Sequence, residues 1–250
     1  MTLDEVLRIV AERVPYLQAA TVVDDDDWIG CDTLVDDPAQ LAAVVRATKA
    51  GFGTDDDAVA ASLFTEAYAF RVAGAPVAAY ALGLPVPEVG LGAVAIRIDK
   101  PRPSAVAYLE PTVRDADAAG LVDALVDAHL RPFVRSVHEQ FRVGERNLWG
   151  NVAAACAVAF RAVESSGVER SSVRDRAQVF FEAGGAAFAG LGRFGTVERD
   201  GREGWYWDRT SCCLWFRTTG SELCDNCSLI DPAELYERRV AELEGASPGA

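Results

Sequence analysis

Ser211-Cys-Cys-Leu-Trp-Phe-Arg-Thr-Thr-Gly-Ser-Glu-Leu-Cys-Asp-Asn-Cys-Ser-Leu-Ile230 carries four of the chain's six cysteines. Cys212 and Cys213 are adjacent, and Cys224 and Cys227 form a C-x-x-C pair. Its reading decides whether the last third of the chain folds as ordinary core or around a metal. Thiolates this dense suit a soft metal centre. Three readings stay open on the residues alone. The four thiolates hold a 2Fe–2S cluster, two per iron; or they hold one structural zinc ion; or they are small buried hydrophobes or a labile disulfide. Adjacent cysteines make a poor zinc knuckle, because neighbouring side chains diverge. A two-iron body tolerates that divergence better, although the spacing is not the plant-type ferredoxin pattern.

Working outward, Asp200-Gly201 is a hairpin-turn signal, and Trp205 and Trp207 alternate as on a strand. Asp231-Pro232 opens a final helix with Leu235, Tyr236, Val240 and Leu243, followed by a frayed tail over Gly245–Ala250. At the other end, Thr2 and Glu5 spell a capping box ahead of Leu3, Val6, Leu7 and Val10 on one helical face, and Pro15 ends or kinks that helix. Asp37-Pro38 starts a second helix with a stripe of Leu41, Val44, Val45 and Thr48. Thr54 is placed to cap a third, apolar on most faces and therefore central, running to about Ala73. Residues 93–98 and 104–109, separated by Lys100-Pro-Arg-Pro103, read as an antiparallel strand pair. Helices are expected over 115–128, 132–141, 147–164 and 172–187.

The fold class expected is α+β: a mainly helical single domain with a small antiparallel β-sheet and a C-terminal metal-binding segment. The organisation expected is residues 1–195 as the helical body and 196–250 as a cysteine-bearing segment packed on it.

The 250 residues carry a net charge of −14, and residues 1–57 hold thirteen acids against four bases. That balance argues against nucleic acid, whose phosphates need a basic footprint. The longest uncharged run, Val72–Pro87, is broken by Pro76, Gly83 and Pro85, so no transmembrane segment is expected. The acidic N-terminus does not read as a signal peptide. A cytoplasmic chain is expected, free or in transient contact with the inner face of the membrane, and reduced thiols there favour metal over disulfide.

Other signals are weaker. Gly190-Leu-Gly-Arg-Phe-Gly195 spells G-x-G-x-x-G but lacks the strand before and helix after that a dinucleotide site needs; it reads as a connector. His129 and His138, nine residues apart, share no ligand face. Asp24–Asp27 lacks the glycine and distal glutamate of a calcium loop and reads as a solvated acidic loop. Cys31 and Cys156 stand alone, and Cys156 reads as a buried small hydrophobe.

Arg209-Thr-Ser-Cys-Cys-Leu-Trp-Phe-Arg217, followed by Cys224-Asp-Asn-Cys227, resembles the C-terminal signature of the ferric-siderophore reductase (FhuF-like) family. Leu148-Trp-Gly-Asn-Val152 is similar to a supporting motif of that family and of related siderophore-synthetase C-terminal domains, and the likeness spans about residues 37–231. Ser228 departs from it, standing where a proline is expected after the last cysteine. The resemblance implies that Cys212, Cys213, Cys224 and Cys227 ligate a 2Fe–2S cluster. It implies one-electron reduction of an Fe(III)-siderophore, of hydroxamate type, with a ferredoxin or flavin-dependent reductase as electron donor. Trp205, Trp207 and Trp215 would then exclude water from the centre or simply fill the core. Arg209 and Arg217, flanking the first cysteine pair, would bond a cluster sulfur or steady an anionic siderophore. Trp149 and Asn151 read as a packing and capping pair. No catalytic residue beyond the cluster is identified. The rival is a non-catalytic iron–sulfur or zinc protein, a redox sensor or a siderophore-binding module.

Overall fold

The computed structural model describes residues 1–99, 101–220 and 222–245. Lys100 of the expected inter-strand corner and residues 246–250 of the expected tail lie outside them.

Helix α1 (Leu3–Arg13) opens on the capping box read from sequence: Thr2 accepts from the Glu5 N–H, and the Glu5 carboxylate accepts from the Thr2 N–H at 2.7 Å. It stops before Pro15, which starts a single 3₁₀ turn. Strand β1 (Trp28–Gly30) and a short α2 (Cys31–Asp36) follow. Asp37 caps α3 (Pro38–Gly51) as expected, and the expected stripe is buried. The next helix is capped by Asp56 rather than Thr54; the Thr54 hydroxyl instead accepts from the Asp56 N–H. That helix, α4 (Asp57–Ala81), runs eight residues beyond the expected end at Ala73 and straight through Pro76. Proline removes one helical N–H and orphans the carbonyl four residues back. Here that carbonyl belongs to Val72, and the buried Tyr108 hydroxyl donates to it at 2.9 Å.

Strands β2 (Val86–Pro87), β3 (Val94–Arg97), β4 (Ala105–Tyr108) and β5 (Val113–Arg114) come next. The expected antiparallel pair β3–β4 is present, and β1 joins it as a third strand in the order β1-β3-β4. Trp28–Gly30 directly follows the acidic Asp24–Asp27 loop and carries no strand signal of its own in the sequence. It forms because Arg97, opposite Trp28, holds the acidic turn in place through Asp25 at 2.7 Å and Asp27 at 3.7 Å. β2 and β5 make a second small antiparallel pair.

Asp117 caps α5 (Ala118–Leu121), which widens into π-helical turns over Val122–Leu130 and continues as α6 (Arg131–Phe141). Then come α7 (Glu145–Ser165) and α8 (Arg170–Ala183). α4 and α7 pack along their lengths and are the buried centre. Hairpin β6 (Gly192–Arg199) and β7 (Arg202–Arg209) closes on Asp200-Gly201, both at positive φ, as the turn signal requires. Gly190–Gly195 therefore leads into a strand and no helix follows it. The boundary expected at 195/196 falls inside β6. After the cysteine stretch, Asp231 caps α9 (Pro232–Glu244), which lies against the hairpin. The architecture is a mainly helical α+β domain with small antiparallel sheets, as expected.

Candidate metal centre

β7 delivers the chain to the cysteine loop at Arg209, whose guanidinium is almost fully buried. Its Nε donates to the Ser211 carbonyl at 2.7 Å, folding the loop back on the strand. Nη2 donates to Asn151 Oδ1 at 2.6 Å, and Nη1 meets Glu66 at 3.3 Å. Asn151 passes the connection on: its Nδ2 donates to the Ser62 carbonyl at 2.9 Å and hydroxyl at 3.0 Å. The Ser62 hydroxyl donates to the Cys213 carbonyl at 2.9 Å, and Asn147 Nδ2 donates to the Cys212 carbonyl at 3.0 Å. Ser62 and Glu66 on α4, and Asn147 and Asn151 on α7, each stand four residues apart and so share a helical face. These two polar pairs hold the cysteine loop over the end of the helix pair.

Gly150 lies between Asn147 and Asn151. A methyl group there would overlap the Ser211 hydroxyl, so the loop seats only because residue 150 has no side chain. The Trp-Gly-Asn string thus acquires a role its sequence reading missed. Glycine permits close approach and Asn151 grips the buried arginine, while Trp149 packs beneath the Arg131 guanidinium.

Past Cys213 the backbone turns left-handed at Leu214 (φ 70°), which aims the Leu214 N–H at Cys212 Sγ, 3.3 Å away. Cys213 and Cys227 are buried, and Cys212 and Cys224 are partly exposed. Cys213 Sγ and Cys224 Sγ are 3.7 Å apart. Two thiolates on one tetrahedral metal at about 2.3 Å stand about 3.8 Å apart, so this spacing suits a shared ion. The contact lets one sulfur carry the proton for both. It lowers the Cys213 thiol to about 7 and raises Cys224 above the ordinary thiol range. Burial raises Cys212. Cys212 and Cys224 each feel charge from both Cys213 and Cys227, so the four sulfurs form one electrostatic group.

Among the described residues, no group of three or more His, Cys, Asp or Glu side chains is arranged to hold a single metal ion. A donor set of four thiols, with one pair already at the separation of a shared metal, fits a centre that takes two ligands per iron. The Ser211 hydroxyl, beside Cys212 in sequence, is buried without a partner among the described residues, as is the Trp207 indole N–H; both are donors that a sulfur acceptor would satisfy.

The other sequence candidates separate. Trp215 packs edge-on against Phe52 at 5.3 Å, beside the loop. Trp207 stacks on Phe181 and borders a cavity of about 450 Å³ that also reaches Cys224. Trp205 stacks on Phe194 at 3.9 Å, in the aromatic core under the hairpin. Arg217 pairs with Asp56 at 2.8 Å, tying the loop to the cap of α4. His129 is buried: its Nδ1 donates to the Val89 carbonyl and its Nε2 accepts from Tyr68, both at 2.6 Å. Burial holds it neutral, down to about 4. Cys31 and Cys156 are buried thiols pushed up to about 12 by desolvation. The sequence reading missed Ser62, Glu66 and Asn147; the available signal was polar residues four apart in otherwise apolar helices.

Four cysteines of one short segment, two of them with sulfurs 3.7 Å apart, thus rest on a helical scaffold. Residues 209–229 match the model of the FhuF 2Fe-2S C-terminal domain family, in agreement with the resemblance read from the cysteine string. The cofactor that the matched domain names is a 2Fe–2S cluster. No curated protein matches the chain. No helix among the described residues is long and apolar enough to cross a membrane.

Proposed function

We propose that this chain is a 2Fe–2S ferric-siderophore reductase that acts in the cytoplasm and releases Fe(II). The observation that carries the reading is the gathering of Cys212, Cys213, Cys224 and Cys227 within the matched segment. These four residues would hold the cluster, which when bound supplies electrons one at a time. The protein's own part is positional. Arg209, Asn151 and Ser62 hold the loop against α4 and α7. The Leu214 N–H offsets negative charge at Cys212 Sγ, and Trp207 and Trp215 limit access of water.

The substrate is Fe(III) held by the hard anionic oxygens of a siderophore. It gains one electron, becomes Fe(II) and is held far more weakly, so no siderophore bond has to break. A ferredoxin or a flavin-dependent reductase would lose that electron, since the sequence carries no nicotinamide or flavin motif. Residues from β6 onward form the cluster-bearing segment, and the helical body supplies its platform.

Protein purified without oxygen is expected to be brown, with about two irons and two acid-labile sulfides per chain. After reduction by dithionite, it should be reoxidised by ferric siderophore in stopped flow faster than by buffer. A colourless chain holding stoichiometric zinc overturns the cofactor assignment. A stable cluster indifferent to ferric siderophore overturns the reductase.

A further inference from the structure

Among the described residues, the cavities bordered by Cys224 and by Asn226 both reach the C-x-x-C loop, and their charges differ. The one bordered by Cys224 and Trp207 is lined by Arg161, Arg238 and Arg239, and each is committed: to Glu242, Glu234 and Asp208 respectively. The other, of about 370 Å³, shares with it Asn226, the residue between Asp225 and Cys227. Phe52, Phe70 and Trp215 give it aromatic walls, and Arg71 and Arg102 enter it. Arg102 sits over the Phe52 ring at 5.8 Å and Arg71 over Phe70 at 5.6 Å. Among the described residues neither arginine has a carboxylate partner. The single carboxylate among those lining the cavity, Glu66, faces the buried Arg209. Arg71 is half-buried, and desolvation and the charge of Arg102 both work against its own charge. In a chain of net charge −14, two uncompensated guanidiniums have been brought together beside the cysteine loop.

We infer that this cavity seats the ferric chelate, and that it selects a chelate with net negative charge. The inference rests on the reductase reading for the nature of the ligand. Three hydroxamates cancel the charge of Fe(III), whereas three catecholates overcompensate it. A tris-catecholate meets both features of the cavity: its charge satisfies Arg71 and Arg102, and its rings lie against Phe52, Phe70 and Trp215. Arg71 is preset for this, because its Nε and Nη1 are tied to the Pro103 and Tyr16 carbonyls, each at 3.4 Å. The hydroxamate type implied by the family resemblance gives no reason for the arginine pair. Trp215 and Asn226 are shared between cavity and loop, so a bound chelate touches the segment that carries the cysteines.

The test is binding of redox-inert gallium(III) chelates to the cluster-loaded protein, read by quenching of tryptophan fluorescence. An anionic gallium tris-catecholate should bind at least about tenfold more tightly than a neutral tris-hydroxamate. Arg71→Ala combined with Arg102→Ala should abolish that preference and leave the visible spectrum of the cluster unchanged. Because Arg71 also anchors two carbonyls, Arg102→Glu serves alone on the exposed residue and should weaken the anionic chelate while sparing the neutral one. Equal affinity for the two chelates, or an unchanged preference in Arg102→Glu, overturns the inference. No electron moves in this experiment. Binding without reoxidation of the reduced protein would remove the reductase and keep the site; reoxidation without charge preference would do the reverse.

Discussion

α4 and α7 meet two different things along their lengths. Through most of the contact the faces are apolar: Ala69, Val72 and Ala73 on one helix, Val152, Ala155, Cys156 and Ala159 on the other, all buried. At the end that carries the cysteine loop, Ser62 and Glu66 and then Asn147 and Asn151 take over, and the bonds run to backbone carbonyls and one buried guanidinium. Burial of apolar area is non-directional, so the first region is stable with considerable freedom of side-chain choice. Among the described residues, the loop between Thr210 and Asp231 has no regular element beyond the single turn Trp215–Arg217. Its shape has to come from directional bonds and from ligands to a metal. A charged group buried there stays affordable only while every partner is in place.

The largest effect that can break this contrast is loss of a thiolate. Cys224→Ser is expected to remove nearly all visible absorbance and iron while far-UV circular dichroism keeps its helical amplitude. An unchanged spectrum would show that Cys224 is not a ligand. Collapse of the helical signal would show that the body depends on the loop.

Next comes the body's own weak point, His129. Its folded pKa, about 4, lies below the ordinary 6.5, so the native state binds its proton less readily than the unfolded chain. Its contribution is complete above about pH 6.5 and is lost as pH falls toward 4, about 3 kcal/mol over that window. Urea midpoints measured from pH 7 to 5 should decline, and His129→Gln should flatten the decline. An equal slope in the variant would remove His129 as the cause.

The smallest effect sharpens the comparison at the junction. Asn151→Ala deprives Arg209 of its 2.6 Å acceptor and removes the Nδ2 donor to the Ser62 carbonyl and hydroxyl. The expected cost is about 2 kcal/mol in chemical denaturation, with faster bleaching of the cluster in air. Wild-type stability and wild-type bleaching together would mean that the loop is held by its metal alone.

Much of the fold was legible because its signals are local. The Thr2–Glu5 box, Asp37-Pro38, Asp200-Gly201 and Asp231-Pro232 all behave as read, since a cap or turn is satisfied within a few residues. The misreadings have distant causes. α4 continues through Pro76 because Tyr108 supplies a donor from another element. β1 escaped notice because its partner Arg97 lies some seventy residues on. Arg209 reads in sequence as a partner for a cluster sulfur or an anionic siderophore, and only its burial against α4 and α7 reveals that it organises the loop.

The sequence by itself determined the donor chemistry: four cysteines in one short segment, a helical body rich in alanine and valine, and caps that start its helices. Tertiary structure alone decided what those cysteines rest on and what they face. Ser62 and Arg71 lie on α4, Asn151 on α7 and Arg102 between β3 and β4, and a bond or a cavity between such stretches exists only once burial has packed them together.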